Sequence, residues 1–219
     1  MSPEEQLADF VVTVKPTDIS EDASRVVRNT ILTVLGTVIA GATEDGCPQL
    51  RRLLVERGGK AEATTLVHGD RLPAASAALL NGTMARALDY CDAMAPGLHL
   101  GSAVVPAALA AAELRGRCSG ETFFSGVAAG AEVGSRLNLT EEAYDGFDPT
   151  GVAGVIGATA AVCHILELTP AQTLHALALA FNRCGGSFQS NVDGSLAVRL
   201  IQGWVAESAV NCAILRDVS

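Results

Sequence analysis

The sequence predicts an all-α domain, a multi-helix cluster of about eight helices. Three observations predict it. Of the 219 residues, 49% are apolar but only 4% aromatic. Alanine and glycine therefore supply much of the interior, which favours close helix packing over a sheet of bulky β-formers. Apolar residues recur at helical spacing in segment after segment. Capping residues open those segments, and Gly or Pro closes them.

The elements follow in order. Ser2, Pro3 and the acids of "SPEEQLADF" open a short helix that Pro16 ends. Ser20, Glu21 and Asp22 repeat the signal, and Val27, Ile31, Leu35, Val38 and Ile39 form one apolar face with Gly41 as the stop. "CPQLRRLLVERGG" is a shorter amphipathic helix stopped by Gly58-Gly59. Thr64 to Val67 reads as a strand ahead of a turn that leaves His68 exposed. "PAASAALLNGTMARALDY" returns to helix, with Asn81-Gly82 expected to interrupt it. One helix through Leu114 and another capped by Ser119 follow. Helices then start near Gly151, at Thr169-Pro170 with a stop at Gly185-Gly186, and near Leu196. No linker, repeat or low-complexity stretch divides the chain, so residues 1–219 read as a single domain.

The formal charge of −9, with no basic block, argues against nucleic acid and anionic membrane as partners. No apolar run is long and uncharged enough to span a bilayer. The start "MSPEEQLADF" lacks a secretory pattern, and the six cysteines show neither C-x-x-C pairs nor zinc-ligand spacing. A cytoplasmic chain with reduced core thiols is expected, and a mitochondrial matrix location stays open. No cofactor and no metal site are expected.

Gly151, Gly154 and Gly157 lack the preceding strand of a phosphate loop and read as helix-packing positions. His164 and His175 lie in apolar helical patterns and read as structural. The segment "ALDYCDAMAPGLHLGS" is different, because it gathers Asp89, Cys91, Asp92 and His99 between two helices. Asp89 and Asp92, three apart, are expected to share one helix face. His99 precedes a helix N-terminus, whose partial positive charge favours a neutral imidazole, and a nearby carboxylate would fix its tautomer. Metal binding by Asp89, Asp92 and His99 lacks a fourth ligand at diagnostic spacing. Arg199 is a candidate clamp for a substrate carboxylate or, equally, a surface ion pair.

Three separated stretches, "LLNGTMARALDYCDAM…HLGSAVVPAALAAAE", "GFDPTGVAGVIGATAAVCHILELTPAQTLHALALA" and "DGSLAVRLIQGWVAES", resemble successive blocks of the MmgE/PrpD family. That family includes 2-methylcitrate dehydratase, cis-aconitate decarboxylase and iminodisuccinate epimerase. The resemblance implies a large helical domain joined to a smaller α/β lid, an active site between them, homodimers, and chemistry on small di- and tricarboxylates without a redox cofactor. It implies that this chain holds most of the helical domain and lacks the lid. The family's motif aspartate falls on Asp89 and its loop histidine on His99. Cys91 replaces a middle acid, Asp92 keeps the last, and Ala93 replaces a threonine. Asp148 replaces a histidine, and Val198 replaces a lysine beside Arg199.

These readings give lyase-type chemistry on a small di- or tricarboxylic acid, 2-methylcitrate dehydratase-like, by proton transfer next to a carboxylate. His99 and Asp89 are the catalytic candidates; Arg199, Asp92 and Asp148 are the substrate-binding candidates. Decarboxylase and epimerase chemistry remain alternatives. So does a non-catalytic helical protein that dimerises or binds a partner supplying a C-terminal half.

Overall fold

Side-chain caps start the helices where the sequence places them. In a computed structural model that describes residues 1–217, Ser2 Oγ accepts the Glu5 N–H and Glu5 Oε2 accepts the Ser2 N–H, opening α1 (Pro3–Thr13). Ser20, Ser119 and Thr169 likewise cap α2 (Glu21–Gly41), α6 (Gly120–Arg136) and α9 (Pro170–Asn182). The remaining long helices are α3 (Cys47–Arg57), α4 (Ala74–Arg86), α5 (Gly101–Arg115), α8 (Val155–Ile165) and α11 (Ala197–Ile214). With the single-turn α7 (Glu141–Tyr144) and α10 (Gln189–Val192), the described residues form eleven helices, and the fold is all-α.

Apart from two isolated bridges, the β-structure of the described residues is a two-stranded hairpin, β1 (Ala63–Thr64) against β2 (Arg71–Leu72), in antiparallel register Ala63↔Leu72. It is shorter than the expected strand because Thr65 already closes a turn through its bonds to Asp70 and Gly69. His68 is half-buried in that turn, not exposed.

Helix α4 runs unbroken through Asn81-Gly82, contrary to expectation. Two contacts explain it. The Asn81 side chain bonds Leu66 N–H at 2.8 Å and the Thr64 carbonyl at 3.0 Å, so it pins the hairpin to the helix. Gly82 faces α11, where an added Cβ would lie 3.0 Å from both the Gln202 carbonyl oxygen and the Gly203 Cα. The missing side chain is what lets the two backbones approach. The same device joins α8 to α6, where a Cβ on Gly157 would meet the Gly130 carbonyl at 2.6 Å. The packing reading of that glycine holds.

Helices α4, α5, α8 and α11 pack on one another at the centre, with α2, α6 and α9 outside them. Leu80, Met84, Val104, Val105, Val133 and Ile165 are fully buried among the alanines. The six cysteines are unpaired; Cys47, Cys163 and Cys212 are buried, whereas Cys91, Cys118 and Cys184 are only partly so. No helix of the described residues is long and apolar enough to cross a membrane.

Candidate active site

Helix α4 stops at Arg86, and the chain turns at once. Asp89 has φ +57°, a left-handed conformation that Asp tolerates better than most side chains. Asp89 and Asp92 therefore do not share a helix face. The turn carries the exposed Asp89 carboxylate back onto Arg86, whose side chain is only 5% exposed, and the two form an ion pair.

The loop that follows is fixed at several points. Met94 and Leu98 exchange backbone hydrogen bonds, both 2.8 Å. Leu98 and Leu100 are buried on either side of His99. The His99 N–H donates to Thr150 Oγ1 at 3.0 Å. Asp92 Oδ2 accepts the Gly101 N–H at 2.9 Å, so this carboxylate caps α5.

His99 Nδ1 lies 2.8 Å from the Asp92 backbone carbonyl. A carbonyl only accepts, so Nδ1 carries the proton and Nε2 keeps the lone pair. The tautomer is thus set by a backbone group, not by the carboxylate that the sequence suggested. Nε2 lies 4.0 Å from Asp89 Oδ1, and Cys91 Sγ lies 3.6 Å from Nδ1. Burial, and then the Arg86 charge, push the imidazole below its ordinary value; the bond to the Asp92 carbonyl and the Asp92 and Asp148 carboxylates oppose them. The expected neutral imidazole is favoured here by burial and a buried cation.

Asp148 is 5% exposed and caps the turn leading into α8. Its Oδ1 accepts the Thr150 and Gly151 N–H groups at 2.9 and 3.1 Å, and Asn191 Nδ2 lies 3.4 Å from Oδ2. Burial raises its pKa, opposed by those N–H groups and by Arg86. The wide π-type turn Thr150–Gly154 then carries Thr150 to His99, with Gln202 Nε2 3.5 Å from the same hydroxyl. Asp92 is also raised by burial.

The structure brings His99, Asp89, Asp92 and Asp148 into one region but does not pair Arg199 with them. Arg199 Nη1 donates to the Asp45 carbonyl at 2.5 Å, and Nη2 lies 3.6 Å from Glu44 Oε2, in the α2–α3 connection. The cation beside His99 is Arg86, which sequence reasoning missed together with Thr150. A signal for Arg86 existed: it lies three residues before Asp89 at the end of an apolar helical pattern. Nothing in the local sequence announces Thr150, which reaches His99 across 51 residues. Among the described residues no group of three or more His, Cys, Asp or Glu is arranged to hold a metal ion. A cleft of about 700 Å³ is lined by Arg183, Ser190, Trp204 and Glu207, and neither His99 nor Asp89 lines it.

The geometry is that of a partly buried imidazole with one defined basic nitrogen, carried at a helix break in an all-α domain. Residues 5–216 match the MmgE/PrpD N-terminal domain, and the chain belongs to the MmgE/PrpD family. It is 25% identical over 222 residues to the cis-aconitate decarboxylase-like protein oryM of Aspergillus oryzae, covering 96% of this chain and 46% of that protein. It is 34% identical over 122 residues to the cis-aconitate decarboxylase of Homo sapiens, covering 52% of this chain and 25% of the human protein. The Mus musculus cis-aconitate decarboxylase is 33% identical over 122 residues, covering the same 52% and 25%. The chain spans about half the length of the longest-matched of these relatives.

Proposed function

We propose that this domain carries the acid–base group of a lyase acting on a small di- or tricarboxylic acid, with His99 moving the proton and Asp89 as its partner. One observation carries the reading: Nδ1 is held on the Asp92 carbonyl, which leaves Nε2 as the basic nitrogen, 4.0 Å from Asp89. A neutral imidazole with one defined basic nitrogen is suited to proton transfer at carbon next to a carboxylate.

The relatives' names favour decarboxylation over the 2-methylcitrate dehydration that the sequence suggested. In decarboxylation the carbon–carboxylate bond breaks and carbon dioxide leaves. The electron pair stays on carbon, and Nε2, after taking up a proton from water, delivers it there to form the new C–H bond, which returns the ring to its neutral state. In dehydration Nε2 takes the proton from carbon, the C–H pair becomes the new double bond, and an acid protonates the departing hydroxide to water. Product analysis after incubation with cis-aconitate and with 2-methylcitrate distinguishes these. Carbon dioxide from the first acid is the expected result. Water loss from the second replaces decarboxylase with hydro-lyase, and turnover of neither contradicts the lyase reading.

A second reading, association with another copy or with a partner chain, is supported by large apolar side chains left exposed. Phe181 is 72% exposed and Trp204 50%, at the end of α9 and on α11. Sedimentation equilibrium tests self-association, and a monomer at every concentration contradicts the homodimer.

A further inference from the structure

Arg86 is the least expected group in this region. It is an arginine with 5% of its side chain exposed, at the last position of a helix otherwise built from small and apolar residues. A buried guanidinium is costly unless it is paired, and this one is paired with the carboxylate that faces His99. We propose that Arg86 is a positioning residue for the acid–base pair: its buried guanidinium fixes the Asp89 carboxylate beside His99 Nε2 and sets, by its charge, which protonation state of the imidazole the chain displays. This deepens the proposed function and rests on His99 being the acid–base group.

The geometry makes the coupling a three-body one. Without Arg86, the Asp89 carboxylate 4.0 Å from Nε2 would attract a proton onto the imidazole. With Arg86 paired to it, that attraction is offset, and the guanidinium itself repels an imidazolium. Both consequences of removing Arg86 therefore act in the same direction. The other groups facing His99 are Cys91 and Asp92 from its own loop and Asp148 from the loop before α8. Their carboxylates favour the protonated ring. Arg86 is the cation among these groups, and it comes from a different element, the end of α4.

The ion pair also explains the backbone at Asp89. A left-handed residue immediately after a helix end returns its side chain toward the last turn, and the Asp89 N–H donates to the Arg86 carbonyl at 3.0 Å. Arg86 and Asp89 thus form a closed local unit. The turn that ends α4 and the group facing the imidazole are one structure.

The test is a pH titration of the imidazole Cε1–H resonances by NMR. The chain has four histidines, His68, His99, His164 and His175, and the signal lost in His99→Gln assigns the site. In Arg86→Gln, the His99 midpoint is expected to rise by about one pH unit or more. In Asp89→Asn, which keeps the left-handed turn accessible, it is expected to fall. In Arg86→Lys, which restores the charge, it is expected to return toward the wild-type value. An unmoved midpoint in both Arg86→Gln and Asp89→Asn, or a fall in Arg86→Gln, overturns the proposal. If Arg86→Gln does not fold, Asp89→Asn decides, because its carboxylate is exposed: a lower midpoint supports the coupling and an unchanged one overturns it. The titration needs no substrate. A shifted midpoint beside unaltered turnover in His99→Gln would overturn His99 as the acid–base group and leave the coupling standing.

Discussion

His99 Nδ1 lies 2.8 Å from the backbone carbonyl of Asp92, seven residues earlier. That contact leaves the neutral ring one stable tautomer, because a carbonyl oxygen cannot give a proton back. It also ties the ring to a loop whose far end caps α5 through the Asp92 carboxylate.

The tautomer is directly observable. Long-range ¹H–¹⁵N correlation spectra at neutral pH are expected to show a pyrrole-type Nδ1 and a pyridine-type Nε2 for His99. The reverse pattern would place the basic nitrogen on the wrong side of the ring.

Thr150→Val tests the tether between the two halves of the region. Valine has nearly the same shape but cannot accept the His99 N–H. Thr150 is fully buried, so no water replaces the hydroxyl readily. A loss of about 1–3 kcal/mol in urea unfolding is expected. Unchanged stability would mean that the His99 loop is held without this bond.

The pH dependence of stability carries a definite sign. The native His99 resists protonation, whereas the unfolded chain takes the proton near the ordinary value of 6.5. Its contribution to stability is therefore present above that value and is lost as pH falls below it. Asp92 and Asp148, raised by burial, act in the opposite sense, since acid relieves the cost of burying their charges. Comparing the wild type with His99→Asn cancels them. The stability difference, wild type minus variant, is expected to shrink as pH falls from about 7 to about 5. A difference that grows would mean that His99 is charged in the native state.

Much of the helical framework was legible because its signals are local. Ser2, Ser20, Ser119 and Thr169 are caps whose partners lie three residues away. Gly58, at φ +63°, stops α3 where the sequence placed a stop. Asn81-Gly82 misled because local propensity reads Gly as a breaker, while the contact that justifies it lies on α11. The site divides along the same line. His99, Asp89 and Asp92 stand within one short stretch and were visible together. Arg199 stands out in the sequence for its charge, yet its partners Glu44 and Asp45 lie more than 150 residues earlier, a pairing that only the fold determines. Arg86 is hard to single out by sequence, because a helix-terminal arginine is ordinarily solvated.

The small-residue contact between α6 and α8 predicts a cost that runs against helix propensity. Alanine is favoured over glycine by about 1 kcal/mol in a helix interior. In Gly157→Ala, however, the new Cβ meets the Gly130 carbonyl at 2.6 Å and the Gly134 Cα at 3.0 Å. Thermal unfolding is expected to show a net loss of about 1–3 kcal/mol. A stabilised variant would mean that the two helices separate freely.

Catalysis by His99 is tested most directly by following cis-aconitate in D₂O by proton NMR, with the wild-type chain beside His99→Gln. The wild type is expected to release carbon dioxide and leave deuterium on the carbon that lost it, with the rate falling about a hundredfold or more in the variant. Equal rates in the two proteins would contradict a role for His99 in moving the proton.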